Sequence, residues 1–472
     1  MEKRLLSVIH LVIISSFLLT ACKPSTNPQK SPTKEIYVTS SYIPMSASNG
    51  RIKMHWFIGV GTGKDSNAIK IVREFIEKFN NSQEKIELEL EVNSVSTHAA
   101  VDQILAEIEA GNPPDIITPA NMGWSGEQLI GHILPLDDYL KGYDLSSIDP
   151  AVLDSWRING ELMGMPTGSF LSVIFYNKEL FDAAGLPYPP RRFGEPYADG
   201  DPWTVEKMES IAMQLTMDAH GRNAMDPNFD PNAVKQWGFH WQWDSTRSMA
   251  VLFGAGDVVD VNGDAVIPPQ WREGFNWYYE GIWKKHFIPS LALVNGPVMQ
   301  GNPFYTGKVA MIHYFTSYSP RLVGVPGLIS IPEWDIAAVP SNNGKVTTRL
   351  ERDGILILNT TQHPAEAVEI AYSIATNPNL LLAWEMLPAF NDLQSLFLKQ
   401  LAAKHPGVDW QVMLDSMDYA DTTYDKTMPN YRKSYDRLLA FRDLLGNEEN
   451  LTLEFEIDKL ESDLQALFEE DR

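Results

Sequence analysis

The sequence predicts an α/β protein built as two lobes, and three observations lead there. Strand-like runs alternate with amphipathic helix-length stretches from residue 52 onward, the pattern of βαβ units around a mainly parallel sheet. Two clusters of breakers, near residues 166–169 and 339–344, divide the ordered chain. The 472 residues also exceed what one domain of about 100–200 residues needs.

The chain opens with Met1-Glu2-Lys3-Arg4, a short basic-flavoured segment, and then the mostly apolar run Leu5 to Leu19. That run has signal-peptide length and is short of the roughly 20 residues of a comfortable membrane span. It ends in Leu19-Thr20-Ala21-Cys22, which resembles a bacterial lipobox and predicts residues 1–22 to be a lipoprotein signal with Cys22 lipidated. Cys22 is the only cysteine, so no intramolecular disulfide is possible. Residues 23–49 are rich in Pro, Ser and Thr, bury too little apolar surface to order themselves, and read as a tether.

The ordered body begins at Ile52–Ile58. A helix pattern follows, with Ile69, Val72, Phe75, Ile76 and Phe79 three and four residues apart. Ile86, Leu88, Leu90 and Val92 then alternate with Glu87, Glu89 and Glu91, a half-buried strand. A second helix carries Val101, Ile104, Leu105 and Ile108 and stops at Gly111, before the short strand Asp115–Thr118. Ligands of such sheets sit beyond the carboxyl ends of the strands, which points to residues 56–66 and 118–124. A second βα series starts at Val173, a strand is expected at Gly354–Leu358, and the chain reads as helical after residue 360.

Composition limits the partners. With 44% hydrophobic and 21% charged residues the chain is that of a soluble globular protein with a sizeable core. A net charge of -23 with no basic stripe argues against nucleic acid. The glycines of Gly59-Val60-Gly61-Thr62-Gly63-Lys64-Asp65 miss the phosphate-loop spacing, and Asp65 stands where Ser or Thr is required; they read instead as room for a ligand. The alternating oxygen side chains of Asp226–Asn232 lack the Gly and Glu of an EF-hand, since Pro231 and Trp237 hold those places; a looser calcium loop stays open. Asp260–Asp264 reads as a hairpin turn, and the ten His show no close metal pairing. No cofactor and no metal is called for.

Several stretches recur in the order of a known family. Gly111-Asn112-Pro113-Pro114-Asp115-Ile116, Ile133-Leu134-Pro135-Leu136-Asp137-Asp138-Tyr139, Tyr176-Asn177-Lys178-Glu179-Leu180-Phe181, Ala184-Gly185-Leu186, Gly307-Lys308-Val309-Ala310-Met311 and Ala338-Val339-Pro340 resemble motifs of the family 1 extracellular solute-binding proteins, the maltose-binding-protein-like group of ABC importers. Pro202-Trp203-Thr204 departs from the family's order of Trp and Thr, and about a dozen extra residues precede it. The resemblance covers about residues 50–470 and implies a type II periplasmic-binding-protein clamp with a ligand cleft between its lobes. The first lobe would take residues 50–166 plus about 349–384, the second 170–345 plus about 388–472. It further implies a carbohydrate ligand, delivery to the membrane subunits of an ABC permease, a monomer, and an extracytoplasmic place held to the membrane by the lipid anchor.

Matching the family's ligand loops position by position nominates Trp56, Asn121 and Trp124 in the first lobe. In the second lobe it nominates His240, Trp241, Trp243, Asp244, Tyr314, Ser317 and Tyr318. Arg352 and Asp353 follow a crossing, Trp384 and Glu385 open a later loop, and Tyr431 sits in a late aromatic segment. Sugars offer hydroxyls and apolar CH faces, so hydrogen-bonding side chains and flat rings suit them. Each aromatic has core packing as its rival. For Trp241 and Trp243 the spacing of two and the polar Gln242, Asp244 and Ser245 favour the cleft. Two other functions remain beside solute binding. A glycoside hydrolase would need two carboxylates flanking one bond, about 5–10 Å apart, and no motif nominates such a pair. A surface or sensor binding protein would use the same cleft without a transporter.

Overall fold

The computed structural model describes residues 50–470 apart from 61–62, 64–65, 94–96, 121–128, 242–244, 319–332 and 422–427. Cys22, Asn121, Trp124, Trp243 and Asp244 therefore lie outside the described residues.

The first strand, β1 (Ile52–Ile58), is followed by helix α1 (Ser66–Ser82), β2 (Ile86–Val92), helix α2 (Thr97–Ala110) and β3 (Ile116–Ala120). β1 pairs in parallel with β2 on one side and β3 on the other, the arrangement the alternating pattern predicts. A small hairpin of β4 (Arg157–Ile158) and β5 (Glu161–Leu162) precedes the long strand β6 (Met165–Asn177). Then come the two-residue β7 (Met217–Asp218), β8 (Val234–Trp241), β9 (Val309–Phe315), β10 (Trp334–Ala337), β11 (Thr348–Ile357), β12 (Leu387–Pro388) and β13 (Ala420–Asp421). The main sheet runs β2-β1-β3-β11-β6-β9-β8-β7. β8 and β9 are parallel, whereas β6 and β11 are antiparallel to each other and to the strands they join.

β6 and β11 carry the chain between two hydrophobic centres. Met165 and Phe170 of β6 lie in the core built on β1–β3, while Ile174 and Tyr176 lie in a second core and Val173 and Phe175 in a third, on opposite faces of the β6/β8/β9 sheet. All thirteen residues of β6 are buried. The breakers at 166–169 thus sit inside a continuous strand. Those at 339–344 form a turn on the second core, where the Trp203 indole N–H donates to the Ala338 carbonyl (2.9 Å) and Ser341 N–H to the Trp203 carbonyl (3.1 Å). The return crossing is β11.

The motifs shared with the family do structural work. Asp115 accepts from His55 N–H (2.8 Å) and from the Thr361 hydroxyl (2.6 Å), tying β1 to the segment after β11. Asp137 accepts from Leu162 N–H (2.8 Å). Asn177 caps helix Lys178–Ala184, and Gly185 closes it in the left-handed region at φ 65, where a residue without Cβ is favoured. Thr204 caps helix Val205–Leu215. Beyond residue 360 the expected helices appear, the longest being Tyr431–Asn447 and Leu453–Glu469.

Candidate ligand cleft

Gly59 and Gly63, at the carboxyl end of β1, leave no room for a Cβ, but the crowding comes from the protein itself. A Cβ on Gly59 would stand 2.6 Å from Cε1 of Phe57, and one on Gly63 would stand 2.5 Å from Nε1 of Trp384. Gly63 also has φ 81. These glycines admit aromatic side chains, which replaces the expectation that they make room for a ligand.

The second sheet presents its carboxyl edge where β8 and β9 end, next to the crossings. There Arg349 of β11 is the centre of a polar node. Its Nη1 donates to the hydroxyls of Ser245 (3.0 Å) and Ser248 (2.7 Å), and its Nη2 to Oε1 of Glu351 (2.5 Å). Its guanidinium lies 4.9 Å from the centre of the Phe315 ring, a cation–π distance, and its backbone N–H donates to the Ser172 hydroxyl (2.7 Å). Arg349 and Glu351 are 12% and 15% exposed, so solvent reaches both. Nearby, Arg247 pairs with Asp421 (3.1 Å). His313, buried on β9, has no hydrogen-bond partner on either ring nitrogen among the described residues. Burial, aided by the Arg349 charge, lowers its pKa to about 3, so the ring stays neutral. His240 is likewise held neutral by burial, at about 3.

Of the residues nominated from sequence, His240, Tyr314, Ser317, Arg352 and Asp353 stand at this edge or on the crossing strand. Six others are corrected to the interior. Trp56 is fully buried and its indole N–H donates to the Thr118 hydroxyl (2.7 Å). Trp241 has no exposed surface and packs edge-on against Phe239 (4.8 Å), Trp277 (5.4 Å) and Tyr278 (5.6 Å). Tyr318 stacks on Tyr305 (5.0 Å), and Tyr431 stacks on Tyr435 (5.7 Å). Trp384 belongs to the first core. Glu385 is buried, in the left-handed region at φ 48, and accepts from Lys404 and from Nε2 of His405 (3.0 Å). The polar neighbours of Trp241 misled: its ring points along the side of the strand that Phe239 shares.

Sequence reasoning missed Arg349, Glu351, Ser172 and His313. Period two was the available signal. In Thr348-Arg349-Leu350-Glu351-Arg352-Asp353 alternate side chains share a face, so Arg349 goes with Glu351 and Asp353, while Arg352 goes with Leu350 of the third core. The oxygen side chains of 226–232 serve turns: Asp226 accepts from Asn228 N–H and Asp230 from Asn232 N–H. Asp260 does the same for Asn262 and Asp264, closing the expected hairpin. Among the described residues, no group of three His, Cys, Asp or Glu is placed to hold a metal.

Two α/β centres joined by long crossing strands, with a polar floor where they meet, are the architecture of a type II binding-protein clamp. The chain belongs to the family of bacterial extracellular solute-binding proteins, whose model matches residues 65–372. A curated relative, the arabinooligosaccharide-binding protein of Halalkalibacterium halodurans, is 22% identical over 277 residues, 57% of this chain and 54% of the relative, so the match spans about half of that protein's length. An ABC substrate-binding protein from Listeria monocytogenes, solved with cycloalternan, is 19% identical, covers 88% of this chain and 98% of its own, and superposes with a TM-score of 0.68. The sugar-binding protein from Xanthomonas citri is 14% identical, with coverage of 89% and 98% and a TM-score of 0.67. At these identities the structural likeness establishes the fold. No helix among the described residues is long and apolar enough to cross a membrane.

Proposed function

We propose that this chain captures a carbohydrate between its lobes and hands it to the membrane subunits of an ABC importer, without chemical turnover. The observation that carries this reading is the polar node at the junction of the cores, where the partly solvent-reached pair Arg349 and Glu351 lies beside the Phe315 ring. Hydroxyls suit a polar node, and a flat ring matches a sugar's CH face. The names of the relatives add support, since one is an arabinooligosaccharide-binding protein and another was solved in complex with cycloalternan. On this reading the first lobe is 50–166 with about 349–384, the second 170–345 with about 388–472, and β6 and β11 are the hinge strands. His240, Tyr314, Ser317 and Asp353 contact the ligand, joined by Asn121, Trp124, Trp243 and Asp244.

The test is a thermal-shift panel of mono- and oligosaccharides on the purified chain. A ligand at one hundred times its Kd adds about 2.7 kcal/mol of stability. A panel that shifts nothing, beside a shift by an amino acid or peptide, would overturn the carbohydrate reading. The protein is further proposed to act as a monomer, a single peak at monomer mass in light scattering being the check, and to sit outside the cytoplasm, anchored through Cys22. Cys22→Ser then moves it from the membrane fraction to the soluble one, and unchanged membrane association would remove the anchor.

A further inference from the structure

We infer that the groove between α1 and helix Pro378–Trp384 is a seat for this chain's own N-terminal segment, with Tyr42-Ile43-Pro44-Met45 as the occupant. The groove has a volume of about 840 Å³. Ile71, Phe75 and Phe79 of α1 form one wall, and Pro378, Leu382 and Ala383 form the other. The three α1 residues recur four apart, so they share one stripe of the helix. Each is only half-buried, whereas Val72 beside them is fully buried in the first core. The stripe borders that core and continues past it, leaving apolar surface that the described residues cover only in part.

The chain enters the body beside this groove. Ile52 N–H donates to the Lys85 carbonyl (2.8 Å), and Arg51 donates through Nη2 to the carbonyls of Asn80 (2.8 Å) and Gln83 (3.2 Å). The start of β1 therefore lies against the last turn of α1, where Phe79 and Ser82 line the groove. Gly50 stands just before, at φ 79, with nothing within 4 Å of a Cβ built there. A left-handed glycine in open space lets the chain leave the line of β1 and turn back along α1.

Reach and composition select the occupant. Residues 23–49 lie outside the described residues. Within them Tyr42, Ile43 and Met45 are the apolar group nearest to Gly50, set among Ser, Ala and Asn. From Met45 to Gly50 an extended chain spans at most about 18 Å. Ile71 to Phe79 is about 12 Å along the helix, so residues 42–45 reach the groove without strain. Pro44 has its φ fixed already, which lowers the entropy that docking must remove. A second copy is a poorer occupant, because each chain carries a net charge of -23 and repels its like. On the lipid-anchor reading, residues 23–41 alone then link the membrane to the body.

Cross-linking on the full-length mature chain carrying Cys22→Ser tests this. Ile43→Cys is combined with Ala383→Cys in the groove, or with Lys85→Cys, which is exposed beside the entry of β1 but outside the groove. Under mild oxidation the Ala383 pair is expected to close an intramolecular disulfide at least tenfold faster than the Lys85 pair, read by non-reducing peptide mapping. An unseated segment would favour Lys85, the site nearer to the entry, and that order or equal rates would overturn the inference. Disulfides between chains would overturn it too and give the groove to a second copy. Hydrogen exchange supplies a readout without engineered cysteines. Adding Ile43→Asp to Cys22→Ser should speed exchange at residues 378–383 at least fivefold. Should the cysteine pairs not fold, unaltered exchange there overturns the inference by itself.

Discussion

Glu351 and Glu385 are both glutamates paired with a basic residue beside a point where the chain passes between cores, yet their surroundings differ. Glu385 is 1% exposed and is gripped by Lys404 and His405, with His405 itself packed on Trp334 and Trp410. Its neighbour Trp384 is buried against Gly63 in the first core. The dipeptide therefore pins one core with its ring and another with its carboxylate. Glu351 lies on a strand face that solvent reaches, and its partner Arg349 is braced by serine hydroxyls. Residue type is the same in both places. What separates the buried fastener from the solvent-reached pair is where the partners come from.

The largest expected effect breaks the fastener. Glu385→Ala leaves buried His405 without this hydrogen-bond partner, and orphaning a buried polar group costs about 1–3 kcal/mol. Glu351→Ala, on the wetter floor, should cost about 1 kcal/mol. Urea unfolding of both variants measures the difference. Equal losses would erase the distinction between the two glutamates.

A middle-sized effect separates two histidines in the same way. His405 has Glu385, whereas His313 has no partner among the described residues and faces the Arg349 charge. With its pKa lowered to about 3 against an ordinary value near 6.5, folded His313 stays neutral while the unfolded chain takes up a proton. Stability from this group is complete above pH 6.5 and is lost progressively as pH falls toward 3. At pH 5 the loss is about 2 kcal/mol, from 1.36 kcal/mol per unit. His313→Gln should therefore reduce by about that amount the drop in unfolding free energy between pH 7 and pH 5. An unaltered drop would mean that His313 is protonated in the folded protein.

The fold was legible because its signals are local. The alternation of Ile86 to Val92, the helix spacing of Ile69 to Phe79 and the caps at Asn177, Gly185 and Thr204 act within a few residues of themselves. The site was legible only in outline. Trp241 and Trp384 are rings of the kind that stack on sugars, and which face of a strand or helix they take depends on Phe239, Trp277 and Gly63, distant in sequence or hidden by a polar context. Arg349 was missed for the same reason: its role comes from Ser245 and Ser248, about a hundred residues away.

The smallest expected effect on stability concerns a third ion pair, and it bears on motion. Asp102 lies in the first half of α2, which follows the carboxyl end of β2, and Arg432 is the second residue of helix Tyr431–Asn447. Arg432 donates through Nη1 to Oδ1 of Asp102 (3.1 Å) and through Nη2 to Oδ2 (3.4 Å). Among the described ion pairs it alone joins residues 50–166 to residues 428–470. Asp102 is 53% exposed and Arg432 48%, so the pair contributes about 0.2–1 kcal/mol and salt screens it. Unlike the Glu385 grip it cannot hold the fold, and Asp102→Asn should barely move the melting temperature. A balance between open and closed lobes is another matter, because about 1 kcal/mol changes a population ratio roughly fivefold. Asp102→Asn and Arg432→Gln should therefore each raise the radius of gyration of the ligand-free protein in low salt, and the exchange Asp102→Arg with Arg432→Asp should bring it back. High salt should abolish the difference between variant and unaltered chain. A radius that ignores both the substitutions and the salt would reduce this contact to a surface ornament, and would leave lobe closure to the ligand alone.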